Sequence, residues 1–178
     1  MATVNLLPNA DVSNDWTPSA LGSDIYELID DDHTLPIAMD SNFLAATTTG
    51  KTCIVGLENF TEDHSSIDGV QLVVRAGNDG RGETYDLRTR LLPASAGVYY
   101  TEDTGTENSN RFYLTHTFTN RTTTDGSTAW SNILVDGLRI DVNSYAISGG
   151  TIKFTYAYVI VTYTEPVATD NAIFFGTN

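Results

Sequence analysis

Apolar and polar residues alternate with a period of two in several windows of the chain, a pattern that predicts half-buried β-strands. The alternation is clearest at 70–76 and at 85–91. Between these windows, the run 76–83 contains Asn78-Asp79-Gly80, residue types that tolerate a positive φ. We therefore expect two adjacent antiparallel strands joined by a hairpin loop.

The rest of the chain continues the strand pattern. Further strand windows lie at 4–7, 25–29, 51–57, 112–118 and 138–142. The run 151–164 is apolar on both faces, which predicts a central strand, and its length favours a bulge midway. Only 128–137 suits a turn or two of helix, with Gly137 as its stop signal. Eight or nine strands at short intervals predict an all-β fold, an antiparallel two-sheet β-sandwich with little helix.

Composition and length agree with one such domain. The chain has 178 residues, and threonine, tyrosine, phenylalanine, valine and isoleucine are plentiful, as in pleated strands. Pro166 must end the last strand, so we expect a sandwich over 1–166 and a C-terminal tail over 167–178. The tail carries an apolar group, Ile173, Phe174 and Phe175. It either folds back on its own sandwich or docks as an arm on a neighbouring subunit.

The charge balance excludes some partners. There are 23 acidic and nine basic residues, which gives a net charge of −14. Phosphate contacts need a basic surface, so we expect no nucleic-acid binding. No stretch approaches the ~20 apolar residues of a membrane span, and the N-terminus lacks the features of a signal peptide. The chain is therefore expected to be made in a cytosol and to bind no membrane.

Sequence signatures of catalysis are missing. The three histidines lie far apart without metal-ligand spacing, and there is no nucleophile elbow, phosphate-binding loop or dinucleotide fingerprint. The single cysteine, Cys53, lies in an apolar stretch typical of a core strand. The many carboxylates are scattered, so none is singled out for acid and base work. We expect a protein that is not an enzyme and has no cofactor.

Calcium is a weak candidate ligand because oxygen-rich loops bind hard cations. The densest carboxylate cluster is Asp30, Asp31 and Asp32, and Asn78-Asp79-Gly80 with Glu83 is a second. Neither fits the twelve-residue EF-hand loop. The alternative for both is a solvated acidic loop.

Exposed aromatic residues offer stacking platforms for sugars. The possible platforms are Trp16, Trp130, Tyr99, Tyr100, Tyr113 and Tyr163. Most aromatic residues in a sandwich pack in the core or across strands. Adjacent strand residues face opposite ways, so one of Tyr99 and Tyr100 must point outward. This pair is therefore the preferred glycan platform.

The order of segments resembles a known group of proteins. Near the start are Leu7-Pro8-Asn9 and Trp16. Strands follow at 69–76 and 86–91, and an aromatic-rich strand lies at 112–118. After it come a Thr-Asn-Arg-Thr loop, Ala129-Trp130-Ser131, a strand at 136–142 and the final strand. This layout resembles the small jelly-roll structural proteins of tailed bacteriophages. The resemblance implies a β-sandwich of jelly-roll type with about eight strands. It covers most of the chain and carries no catalytic signature.

The resemblance implies a virion structural protein, a capsid cement or decoration protein that binds the outer shell and bridges capsomers. Its partner would be the major capsid protein, and it would form a homo-oligomer, a trimer or a dimer, on the outer capsid surface after synthesis in the host cytoplasm. Contact residues are then expected in the terminal arms, at Leu6 and Leu7 and at Ile173, Phe174 and Phe175. The rival hypothesis is a carbohydrate-binding β-sandwich module of a phage tail or head fibre, or of a secreted glycan-processing protein.

Overall fold

The computed structural model describes residues 1–19, 24–29, 42–94, 97–107 and 113–167. Its strands are β1 (Ala2–Leu6), β2 (Pro8–Asn14), β3 (Thr17–Pro18), β4 (Leu44–Ala46), β5 (Thr52–Leu57), β6 (Ser66–Asn78), β7 (Tyr85–Leu92), β8 (Tyr100–Asp103), β9 (Tyr113–Thr117), β10 (Arg139–Ile147) and β11 (Ile152–Thr164). Two short helical segments accompany them, a 3-10 helix at Tyr26–Leu28 and α1 at Asn132–Val135. The prediction of an all-β chain with little helix is confirmed.

The eight strands β4 to β11 form an antiparallel jelly roll. Sheet A contains them in the order β4, β11, β6, β9, and sheet B in the order β5, β10, β7, β8. Each sheet therefore alternates strands from the two halves of this segment, as a double Greek key requires. The predicted two-sheet sandwich of jelly-roll type, with about eight strands, is confirmed, and β1, β2 and β3 are additions to it.

The three N-terminal strands extend both sheets. β2 pairs with β5 in sheet B, while β1 pairs with β11 and β3 with β4 in sheet A. One edge of β11 thus pairs with β4 at Ile152–Phe154 and with β1 at Val159–Tyr163. Between these stretches the Ala157 amide donates to the Ile29 carbonyl, 3.3 Å away. The central position of β11 and its bulges, between Phe154 and Tyr156 and again at Thr162, confirm the predicted bulged central strand.

The core lies between the inner faces of the two sheets. Its largest fully buried side chains include Tyr85, Phe154, Leu44, Leu72, Leu87, Leu91, Leu138 and Ile140. Phe154 packs against the Trp16 ring at a centroid distance of 6.0 Å, and Phe60 packs edge-on against Tyr163 at 5.4 Å. Burial of apolar area on this scale is the main stabilising term of such a fold.

The predicted hairpin between the strands at 70–76 and 85–91 is wrong. β6 lies in sheet A and β7 in sheet B, so the intervening loop crosses from one sheet to the other. The buried Tyr85 hydroxyl donates to the Ala76 carbonyl across the core, at 3.0 Å. Both strands are apolar on the faces that meet there, and packing those faces together buries more surface than pairing their edges in one sheet would.

The crossover loop is held by the neighbouring connection from β10 to β11. Asn78 Nδ2 donates to the Gly149 carbonyl at 2.9 Å, and the Thr84 amide donates to Ser148 Oγ at 2.8 Å. Ser148 Oγ in turn donates to Glu83 at 2.7 Å. These polar contacts replace the hairpin pairing that the loop sequence suggested.

The predicted strand at 25–29 is also wrong, because this segment forms the 3-10 helix. Ile25, Leu28 and Ile29 are spaced as one face of a helix, and Leu28 and Ile29 are buried. The Asp11 carboxylate accepts hydrogen bonds from the amides of Ile25 and Tyr26, at 2.9 and 2.8 Å. By contrast, the predicted turn of helix near Gly137 is confirmed by α1, and Gly137 has a φ of 70°.

Residues 168–178 lie outside the described part of the chain, so the division into 1–166 and 167–178 stays a prediction. Among the residues that are described, no helix is long and apolar enough to cross a membrane.

Candidate functional site

The outer face of sheet A carries a cluster of aromatic and polar side chains, here called the tyrosine cluster: Arg75, Tyr113, Thr115, Tyr156 and Tyr158. The register brings them together, because Arg75 of β6 lies opposite Thr115 of β9 and Tyr156 of β11. Arg75 donates to Thr115 Oγ1 at 3.1 Å, and its guanidinium carbon lies 5.6 Å from the centre of the Tyr113 ring. The Tyr156 hydroxyl lies 3.0 Å from Thr115 Oγ1. Arg75 therefore holds Tyr113 and Thr115 of β9 in place relative to the sheet.

Beside the tyrosine cluster is a small cavity with a glycine at its base, here called the glycine slot. Tyr113 on β9, Gly77 on β6 and Lys153 on β11 lie in one row across three paired strands. Because the middle position has no side chain, a gap remains between the two flanking ones. The slot has a volume of ≈ 240 Å³ and is lined by these residues together with Asn78 and Asp79.

The polar groups of the glycine slot are held in place. Lys153 Nζ lies 3.4 Å from Asp79 Oδ2 and 4.8 Å from the centre of the Phe43 ring. The Thr151 amide donates to Asp79 Oδ1 at 2.9 Å. Asn78 is buried, and its Oδ1 accepts from the Gly80 amide at 2.8 Å. The slot thus combines an aromatic wall with one cation and one anion of fixed position.

The predicted glycan platform, Tyr99 and Tyr100, lies elsewhere, at the side of the sandwich beside a groove of ≈ 310 Å³. The Tyr99 ring packs edge-on against Trp130 at 5.2 Å. The Tyr100 ring lies under the Arg121 guanidinium, 5.3 Å from its centre, and burial raises the pKa of its hydroxyl. Both rings are thus half-buried and used in packing. Their role as a platform stays a prediction.

The N-terminal residues predicted to contact a partner belong to the sandwich itself. Leu6 is 2% exposed and part of the core. Leu7 is half-buried, and its amide donates to Glu58 Oε2 at 3.4 Å. Contact of Leu6 with a partner would require β1 to leave β11.

The remaining predicted site residues fall outside the described part of the chain. These are the calcium candidates Asp30, Asp31 and Asp32 and the tail residues Ile173, Phe174 and Phe175. Within the described part, no three His, Cys, Asp or Glu side chains come together as a metal site. In the second calcium candidate, Asp79 faces Lys153 and Glu83 accepts from Ser148.

Sheet B buries two polar side chains, Cys53 and Asp141. Cys53 is buried, and burial together with Asp11 and Asp141 raises the pKa of its thiol to about 12, so it is protonated at neutral pH. Asp141 alternates with apolar residues along β10, yet it is fully buried and paired with Arg90. Burial raises the pKa of Asp141, and Arg90 opposes that shift.

Because of His116 on β9, we expect the free energy of unfolding to depend on pH. Its Nε2 is buried without a hydrogen-bond partner among the described residues, and burial lowers the pKa of the ring from its ordinary value of 6.5. The folded state then binds a proton less readily than the unfolded state. The free energy of unfolding should therefore fall as the pH drops below 6.5, by at most about 1.4 kcal/mol per pH unit.

Urea unfolding of His116→Gln between neutral pH and pH 5 measures this effect, and the variant should lose less stability on acidification than the parent protein. His64→Gln is the matched control, since the His64 ring lies on an exposed loop and hydrogen-bonds the Glu62 carbonyl. Equal acid sensitivity in the parent and His116→Gln would contradict the prediction.

A cyclase of known structure supports the fold. No protein-family model matches the chain, and neither does any curated protein sequence. The Stig cyclase Fisc from Fischerella sp. TAU aligns with 92% of this chain and 86% of its own, at 13% identity and a TM-score of 0.52. The CBM35 module of Abf62 from Cellvibrio japonicus aligns with 92% and 95% of the two chains, at 18% identity and a TM-score of 0.45. The C-terminal CBM6 of the laminarinase LamC from Zobellia galactanivorans aligns with 90% and 100%, at 12% identity and 0.46.

Proposed function

We propose that the chain is a virion structural protein, a capsid cement or decoration protein that attaches to the outer shell and bridges capsomers. It acts through binding energy rather than catalysis, and its partner is the major capsid protein. The sequence layout that resembles phage jelly-roll proteins supports this class. The structural observation that supports the proposal is the uncharged edge of sheet A, which is the surface expected to bind the shell.

The two sheets end in edge strands of different character. β8, at the edge of sheet B, carries Glu102 and Asp103, and acidic side chains discourage pairing with another strand. β9, at the edge of sheet A, has the sequence YLTHT without Asp, Glu, Lys or Arg. Among the described strands it pairs only with β6. An uncharged edge is a template for strand addition by a partner.

The backbone of β9 is oriented for such pairing. The Phe118 amide donates to the Leu72 carbonyl, so alternate residues back along β9 also hydrogen-bond to β6. The amides of Thr115 and Thr117 then point away from β6, and both side chains are exposed. A capsid strand or arm that pairs there would gain backbone hydrogen bonds and bury the threonine face.

The acidic balance suits a protein of the outer layer. With a net charge of −14, copies repel one another in solution, which keeps the free protein soluble before assembly. On the shell, many weak edge contacts add through multivalency if the protein bridges capsomers. A dimer or trimer formed through the same edge would also increase the number of contacts that one particle makes with the shell.

Thr117→Lys tests this proposal, because it adds a charge to the β9 edge at an exposed side chain. We expect binding to shells assembled without this protein to weaken by about tenfold or more, since a strand edge that carries lysine resists pairing. Co-sedimentation with such shells measures the effect. Thr101→Lys on β8 is the matched control and should bind like the parent protein.

Electron microscopy of the particle that carries this chain gives a second measurement. Copies at regular lattice positions on the shell would support the proposal, whereas copies confined to a tail or fibre would exclude a cement role. Equal binding of Thr117→Lys and Thr101→Lys to the shells would show that the β9 edge is not the docking surface.

A further inference from the structure

We propose that the glycine slot on the outer face of sheet A binds one ring of a neutral sugar. This activity goes beyond attachment to a shell and does not depend on it, since it involves the face of the sheet rather than the edge of β9. It also differs from the glycan platform expected from the sequence, which lies at Tyr99 and Tyr100.

The dimensions of the slot fit a single ring. Its ≈ 240 Å³ falls below the roughly 300–1,000 Å³ of clefts that enclose drug-sized ligands. The strand register sets its width, because Tyr113 and Lys153 flank Gly77 on either side. Any larger residue at position 77 would project into this gap, so the glycine is what leaves room for a ligand.

Tyr113 provides the wall on which a sugar can stack. The C–H groups on one face of a pyranose ring are apolar and pack against an aromatic ring, while its hydroxyls point sideways. Tyr113 is half-buried, and the nearby Arg75 guanidinium and the pairing with Gly77 limit its movement. A wall that is already fixed loses little conformational entropy when a ligand binds.

Asp79 and Lys153 provide a hydrogen-bonding pair for adjacent hydroxyls. Their side chains retain 44% and 28% exposure, so both can be reached from solvent. The Thr151 amide holds Asp79 Oδ1, and Oδ2 points toward Lys153 Nζ at 3.4 Å. A carboxylate can accept from one hydroxyl while the ammonium donates to its neighbour, which is the pattern that a vicinal diol requires.

Electrostatics favour a neutral ligand over an acidic one. The charge of Lys153 is already balanced by Asp79, so the described residues that line the slot carry no net positive charge. The chain as a whole carries a net charge of −14, and its field repels anions. A uronic acid or a sulfated sugar should therefore bind less well than the matching neutral glycoside.

The test is a titration of the full 15N-labelled chain with methyl glycosides of glucose, galactose, mannose and xylose, followed by amide chemical shifts. We expect at least one glycoside to shift the amides of Gly77, Asn78, Tyr113 and Lys153. Methyl glucuronide should bind more weakly than methyl glucoside.

Variants separate the wall from the polar pair. Tyr113→Ala and Asp79→Asn should each weaken binding by about tenfold or more, since each removes a contact of at least about 1.4 kcal/mol. Tyr113→Phe keeps the wall and should bind like the parent protein. Tyr145→Ala, which removes an exposed tyrosine of sheet B, is the matched control and should have no effect. Asp79 lies at the surface, so Asp79→Asn should still fold. It therefore tests sugar binding even if Tyr113→Ala does not fold.

Three results would overturn the proposal. The first is that none of the neutral glycosides shifts the amides of the slot. The second is that the shifts occur around Tyr99 and Tyr100 instead, which would return the platform to the position expected from the sequence. The third is tighter binding of the glucuronide, which would mark an anion site. None of these results bears on shell binding through β9, so the two proposals can fail separately.

Discussion

Phe154→Ala is expected to lower the free energy of unfolding by about 3–5 kcal/mol. Phe154 is fully buried, and it packs against the Trp16 ring at 6.0 Å. It belongs to β11, where its neighbours are Leu44 of β4 and Ala76 of β6. Truncation leaves a cavity between two sheets that neighbouring strands hold in register, so the site can collapse only slightly.

Urea unfolding followed by tryptophan fluorescence measures this loss, with far-ultraviolet circular dichroism as a second probe. The matched control is Ile133→Ala in α1. Ile133 is 87% exposed, and its truncation should change stability by less than about 0.5 kcal/mol. A loss for Phe154→Ala no larger than that of the control would mean that the packing of the two sheets around β11 is not as described.

Arg90→Ala is expected to cost about 3 kcal/mol, because it leaves the carboxylate of Asp141 buried and unpaired. Asp141 is fully buried, with its Oδ2 paired to Arg90 and its Oδ1 without a hydrogen-bond partner among the described residues. The loss should grow as the pH rises above the ordinary pKa of aspartate, since folding then has to bury the charged form. At acid pH, where the carboxyl group is protonated, the variant should lie closer to the parent protein.

The same sheet offers the matched control. Arg88 pairs with Asp103 at 2.9 Å, but both side chains are more than a third exposed, so Arg88→Ala should cost less than about 1 kcal/mol. Adding Asp141→Asn to Arg90→Ala removes the buried charge and should restore part of the lost stability. Equal losses for Arg88→Ala and Arg90→Ala at neutral pH would contradict the proposed role of the buried pair.

Periodicity predicted the strands because it reports which face of a segment is buried. It succeeded for β6, β7, β10 and β11, whose inner residues are almost all buried. It failed at 25–29, where five residues fit both a strand and a helical turn, and the cap from Asp11 decided the outcome. Alternation does not identify the sheet to which a strand belongs, and this is why the crossover from β6 to β7 resembled a hairpin.

The sequence could not have predicted the glycine slot as a unit. Tyr113 was one of several candidate aromatic residues, whereas Gly77 and Lys153 carried no signal of their own. They meet because β6 pairs with both β9 and β11, partners that lie far along the chain. The burial of Asp141 could not be predicted for a related reason, since a position on the outer face of a sheet does not say whether neighbouring side chains cover it.

The position of β11 at the centre of sheet A has a consequence for biosynthesis. β1 pairs with β11, so the first strand of the chain meets its partner only after roughly 150 further residues have been made. At translation rates of about 5–20 residues per second, this interval lasts about 8–30 s. Until β11 has been made, β1 and β4 lack the strand that joins them, and β9 is the only described strand that can pair with β6. Sheet A can therefore close only once β11 has been made.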